Sequence, residues 1–434
     1  MDGALVAMVV HSSSLLSMVY LRSIVLHGND VRSDFPIRCM REVVVAESFE
    51  DEDLYYLVRN CKKLQNLKLQ YTYQCNTPAR GLCWLQKYRK LEEFSFSMES
   101  VYTEPEESFT QVATVLLDVL RQCTNLRKVS LTGDALRGRN VEDLLPYGHL
   151  FDELKFKGRH DRSMGYGQAV ANLLVACTNL WRLRYESNGE QHDGLVLVAI
   201  HRSCPSLEAL VLESFHHIID ADTFTRIGRN CPHLCTLTLG TTFELSEFSI
   251  RAITGMQALT DLRLLCCYGL TDAGMALLAT MKLERLSVLL SDQLTDASLQ
   301  SFIESNISQT LEDFSVLLFG DTILFNDVEV ALAMASCHKL RRLFMSSRPG
   351  AVYVFGHNGL AGLQAMATGC PLLSDVSLYL TVSGMHYIGT HFTSLKNCEM
   401  LKRRDEGAAT PEGFPSVEEL RTLYPAVDWA YSDD

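Results

Sequence analysis

Apolar residues return along the chain in one recurring phrase. NCKKLQNLKL from Asn60, QCTNLRKVSL from Gln122, ACTNLWRLRY from Ala176, SCPSLEALVL from Ser203, NCPHLCTLTL from Asn230, SCHKLRRLFM from Ser336 and GCPLLSDVSL from Gly369 all follow C-x-x-L-x-x-L-x-L, with conservative swaps. Copies without the cysteine include Met40/Val43/Val45, Leu91/Phe94/Phe96, Phe151/Leu154/Phe156, Leu259/Leu262/Leu264, Leu283/Leu286/Val288 and Leu311/Phe314/Val316, with fainter ones at Leu21/Ile24/Leu26 and Leu395/Cys398/Met400. The closing L-x-L alternation is a short strand that turns two side chains to one side. FTQVATVLLDVLRQC, GYGQAVANLLVAC and TDAGMALLATM lie ahead of such strands, and their apolar residues recur at three and four, which predicts helices.

The last anchors fall at 26, 45, 69, 96, 131, 156, 185, 212, 239, 264, 288, 316, 345, 378 and 400. Their mean step is about 27 residues, within the range of leucine-rich repeats. One strand plus one helix cannot bury its own apolar edge, whereas stacked copies can. The expected fold is therefore an α/β leucine-rich-repeat solenoid of about 15 repeats, a curved horseshoe with parallel strands on the concave face and helices on the convex face. It would span residues 1–400, with 401–434 as a polar linker and a C-terminal capping helix or tail. Ser416 and Glu419 in SVEELRTLYP have the spacing of a capping box. Seven of the cysteines share one phase, at the corner between helix and strand, where a small apolar side chain packs well, so they read as packing residues.

The segment Leu259–Leu278, LTDLRLLCCYGLTDAGMALL, resembles the cysteine-containing leucine-rich repeat, with Cys267, Leu270, Thr271, Asp272 and Met275 at the matching places and Leu294, Thr295 and Asp296 repeating the turn. That class is typical of F-box proteins, the substrate receptors of cullin-based (SCF-type) ubiquitin ligases. The stretch 358–400 is similar to the plant jasmonate and auxin receptors in that family. The resemblance implies recognition of a protein partner or substrate peptide in ubiquitin-dependent degradation, and an adaptor partner where an F-box accompanies the repeats. Residues 1–45 hold one proline, Pro36, and no tryptophan, and already phase with the array, so an F-box is not evident there. No cofactor is expected, with an inositol phosphate as an option that the same resemblance leaves open. The alternatives are a repeat scaffold without a ligase link and a hormone receptor assisted by an inositol phosphate.

Strand residues flanking the leucines should line the concave face. They place Lys128, Lys155, Lys157, Arg182 and Arg184 in one basic patch, since adjacent strands lie about 4.8 Å apart. Arg263, Arg285 and Arg342 extend the set on later strands, with Asp261 and Phe344 beside them. Such a patch can focus the field on an anion; the competing reading is a solvated face, partly paired with Glu153 and Glu186. The anchor step lengthens from 345 to 378 by inserting SSRPGAVYVFGHNG, a candidate binding loop carrying Arg348, Tyr353, Phe355 and His357.

Composition narrows the function. The 434 residues carry a net charge of −13, which argues against a bulk nucleic-acid binder. No apolar run reaches the roughly 18 residues of a membrane span. The 14 cysteines include no C-x-x-C pair, fitting a reducing cytoplasm or nucleus and no zinc site. HExxH, GxSxG and Walker patterns are absent, so no enzyme is expected and no catalytic or metal residues are named.

Overall fold

A computed structural model describes residues 23–27, 41–46, 51–72, 79–99, 106–133, 138–157, 166–187, 193–214, 219–291, 293–318, 326–347, 355, 359–402 and 414–433. The chain packs as two compact units, Met1–Glu208 and Ala209–Asp434.

In the first unit the strands are β1 (Ser23–His27), β2 (Glu42–Ala46), β3 (Asn66–Thr72), β4 (Glu93–Glu99), β5 (Lys128–Gly133), β6 (Phe151–Lys157) and β7 (Arg182–Glu186). Each pairs in parallel with the next in sequence. The second unit repeats the arrangement with β8 (Ala209–Glu213), β9 (Thr236–Glu244), β10 (Asp261–Tyr268), β11 (Arg285–Ser291), β12 (Asp313–Leu318), β13 (Arg342–Ser347), β14 (Asp375–Leu378), β15 (Asn397–Lys402) and β16 (Asp428–Asp433). Every sequence anchor falls on a strand, one per strand from β1 to β15. Parallel neighbours need a crossover, and helices such as Tyr166–Ala176, Ala221–Asn230 and Asp327–Ala335 supply it.

The leucine positions form the interior. Leu210, Leu237 and Leu262 are register partners and fully buried, and Leu286 and Phe314 continue the row. The side chains between them face the other way and make the open face of each sheet. The cysteines sit where their phase predicts. Cys204 Sγ reaches the Leu174 carbonyl at 3.9 Å, Cys370 the Met334 carbonyl at 3.1 Å and Cys123 the Leu85 carbonyl at 3.6 Å. Each thiol thus meets the end of the preceding repeat's helical segment, where carbonyls lack an intrahelical donor.

The Leu-Thr-Asp turns do a second job. Thr271 and Thr295 cap their own helices. The Asp272 carboxylate then accepts the Thr295 backbone N–H at 2.8 Å and its hydroxyl at 2.6 Å, and Asp296 accepts the Asn326 N–H at 3.0 Å. Successive helix starts are stapled together in this way. At the opposite ends the helices approach so closely that a Cβ on Gly369 would collide with the Ala335 carbonyl.

Two features depart from the sequence reading. Strand pairing does not stop near residue 400: after the helix Val417–Leu423, whose Ser416/Glu419 capping box is formed, β16 pairs with β15 and buries Trp429 completely. The residues ahead of β6 form no α-helix. Gly138–Leu150 runs as a 3₁₀ helix containing Pro146 and enters the strand at Phe151 without the usual turn. The missing turn displaces the register. Phe151 opposes Val129 and Glu153 opposes Ser130, so Asp152 is an extra, bulged residue and Leu131 meets Leu154 instead of Phe156.

Candidate interaction surfaces

The open face of the first unit is a set of cross-strand ion pairs. Lys68 on β3 reaches Glu42 on β2 at 3.7 Å, Lys128 on β5 reaches Glu93 on β4 at 3.7 Å, and Arg182 on β7 reaches Glu153 on β6 at 3.5 Å. The predicted basic patch is therefore interleaved with acids. The bulge at Asp152 explains why it does not form as one block. Lys128 acts on Asp152, while Lys155 moves along to oppose Thr132 on one side and Arg184 on the other. Lys155 and Arg184 do sit together, as half-buried register partners. Lys157 is placed by its backbone opposite Glu186, and its side chain lies outside the described residues.

The bulge also opens a recess of about 200 Å³, lined by Asn66, Lys68, Glu93, Lys128, Asp152 and Trp181 among others. Burial raises the Asp152 carboxyl above the usual carboxylate range, a push opposed by the Lys128 charge and by a hydrogen bond from the Trp181 side chain. Bulges beside a cavity commonly re-aim a side chain into it. Neither Asp152 nor Trp181 was singled out from sequence, because the bulge depends on the missing turn before β6.

The second unit presents a different face. One position per strand gives Asp261, Arg285, Asp313, Arg342 and Asp375, neighbours in register from β10 to β14. Arg263 grips Asp261 with Nε at 3.1 Å and a terminal nitrogen at 3.2 Å, and Arg285 Nε donates to the same carboxylate at 2.8 Å. Arg342 reaches Asp313 at 2.7 Å. The acids lie beneath and the guanidiniums above: the Asp261 side chain is 4% exposed, whereas Arg263 and Arg285 are 49% and 42% exposed.

Beside this row lies an apolar one. Leu265, Leu289 and Leu317 are register partners on β10, β11 and β12, four residues along from Asp261, Arg285 and Asp313 with Arg263, Ser287 and Ser315 between, and all three are half-buried on the open face. Phe344 on β13 is half-buried nearby, opposite Ser315. The sequence carried a signal for these leucines that the repeat pattern alone hides. In LRLLCC, LSVLLS and FSVLLF a leucine directly follows the last core anchor, where other strands have a polar residue such as Thr132 or Lys157.

Of the candidate loop, Arg348, Tyr353 and His357 lie outside the described residues. Phe355 is 1% exposed; its N–H donates to the Tyr379 carbonyl and its own carbonyl accepts from Thr381 N–H. Its ring is packed inside, not presented to a partner, because the loop joins the strand ladder there through a bridge to Leu380. No group of His, Cys, Asp and Glu among the described residues has a metal-binding arrangement, and no helix among them is long and apolar enough to cross a membrane.

No protein-family profile matches the chain, and no curated protein sequence matches it. Solved structures do. The yeast Rad7–Elc1 complex matches at 15% identity, over 84% of this chain and 83% of that one, with a TM-score of 0.46. A Listeria monocytogenes internalin, InlF, matches at 14% over 91% and 87%, with a TM-score of 0.36. A leucine-rich-repeat protein of Leptospira interrogans matches at 13% over 94% and 89%, with a TM-score of 0.41. The in-register leucine phrase, repeated strand by strand and bridged by helices, gives this chain the fold class of an α/β leucine-rich-repeat solenoid.

Proposed function

We propose that the chain recognises a protein partner on the open face of its sheet, and that it does so as a substrate receptor in cullin-dependent ubiquitin ligation, in the cytoplasm or nucleus. The observation that supports partner recognition is the contiguous row Leu265, Leu289 and Leu317. Single exposed apolar residues are ordinary, but contiguous ones bordered by polar groups mark interaction sites. The ligase role draws on the resemblance of Leu259–Leu278 to the repeats of F-box proteins. The role is non-catalytic binding. Co-elution with a purified cullin adaptor tests it: failure of the chain to bind the adaptor, alone or joined to any F-box encoded upstream, removes the ligase role and leaves a recognition scaffold.

A second reading rests on Lys155 and Arg184 facing each other across β6 and β7. They would hold the phosphate of an inositol phosphate supporting that face. Inositol hexakisphosphate should then raise the unfolding temperature of the wild type and not of the Lys155→Glu/Arg184→Glu variant. An equal shift in both, or none in the wild type, ends this reading.

A further inference from the structure

The two charged faces differ in what they display, and that difference selects a partner. In the first unit no anion is fully covered: Glu42, Glu153 and Glu93 are 26%, 30% and 42% exposed beside cations that are 50–60% exposed. In the second, Asp261 is covered, Asp313 is 24% exposed, and Arg263, Arg285 and Arg342 stand 49%, 42% and 59% exposed. The carboxylates orient the guanidiniums from below, so the outer surface beside the leucine row is one of oriented N–H donors. Arginine has five such donors in a rigid fork suited to carboxylates. The two or so N–H groups of Arg263 committed to Asp261 leave the rest of its fork turned to solvent.

Resting on the partner-recognition reading, we infer that the Leu265–Leu289–Leu317 row with its Arg263/Arg285/Arg342 border binds an extended peptide segment whose bulky apolar side chains are flanked by Asp or Glu. Complementarity works on both counts. The leucines accept apolar side chains and exclude water. Arg263 and Arg285 are held over the buried Asp261 and Arg342 over the half-buried Asp313, so their remaining N–H donors meet a carboxylate without the cost of first being ordered. The geometry adds a spacing. Leu265 and Leu317 are two strand spacings apart, about 9.6 Å. A peptide crossing the strands in the polyproline II conformation returns to the same side every three residues, about 9.3 Å. The segment is therefore expected to carry apolar side chains at i and i+3.

A random peptide library displayed on phage and selected against the full-length chain tests this. Enriched sequences should carry Asp or Glu around paired apolar residues. A synthetic peptide from the selection, followed by fluorescence anisotropy, should bind about tenfold more weakly to Leu289→Ser, as loss of a central anchor costs at an interface. Arg342→Gln should weaken it less and flatten its salt dependence. Leu317→Thr serves as a second variant, and unchanged unfolding temperatures show that the fold is intact. Basic or purely polar selections, binding indifferent to Leu289→Ser, or no enrichment at all would each overturn the inference. Binders lost instead in Lys68→Glu and Arg182→Glu would place recognition on β3–β7, overturning this inference while partner recognition itself stands.

Discussion

The open faces of β3–β7 and of β10–β13 are built from the same repeat and carry charges at the same strand positions, yet they are different surfaces. The first is interrupted by the Asp152 bulge and exposes both members of each ion pair. The second keeps its charged row in register, hides Asp261 under two arginines and adds a leucine row. Charge count alone does not distinguish them. What differs is the depth at which each sign is held, and depth decides both the energetic weight of a pair and what a partner meets.

That contrast can be broken most severely at Asp261. Replacing both guanidiniums by apolar side chains that keep the cover, Arg263→Met/Arg285→Met, leaves the Asp261 carboxylate covered and without these counter-ions, and should lower unfolding stability by about 3 kcal/mol, read from the urea midpoint. A loss below about 1 kcal/mol would show that the pair behaves like a surface one. Next comes a contrast within β10. Leu262→Ala empties a fully buried site and should cost about 2–5 kcal/mol, whereas Leu265→Ala, half-buried on the open face, should cost much less. Equal losses would mean that Leu265 belongs to the interior. In the first unit, Arg182→Ala breaks a pair exposed by 50% and 30% and should change stability by under about 1 kcal/mol. The smallest effect concerns Asp152. Its folded-state ionisation lies above the ordinary carboxylate value, so its contribution to stability is complete at low pH and is lost as pH rises through that raised value. Asp152→Asn should therefore gain on the wild type as pH rises from acid to neutral, and thermal unfolding across that range would show whether the gap opens.

The fold was legible in the amino-acid order because stacking makes each repeat restate the same physics. The residues that must be buried are those the L-x-x-L-x-L spacing names, and Val43, Leu69, Phe96, Leu131, Leu239 and Met345 are all in the interior. The faces were less legible. Ser130 and Lys155 occupy equivalent places in their phrases, yet Ser130 opposes Glu153 and Lys155 opposes Thr132, because the 3₁₀ segment before β6 shifts the strand by two residues. Arg263 and Arg285 were readable as cations, but their shared, covered partner Asp261 depends on how two strands lie side by side. Phe355 looked like a presented aromatic among glycines, and only the bridge to Leu380 shows why it is interior. β16 was missed because Trp429, Ala430 and Tyr431 carry no leucine phrase, although Tyr431 pairs with Met400 as an anchor would.

The thiols at the helix–strand corners carry a chemical consequence. Burial pushes Cys123, Cys231 and Cys337 up to about 11, so at pH 7 only about one molecule in ten thousand holds each as the nucleophilic thiolate. Electrophiles and peroxides should pass over these seams. Among the described cysteines, the exposed Cys83 is where an alkylating label would attach first, ahead of the half-buried Cys235 and Cys266.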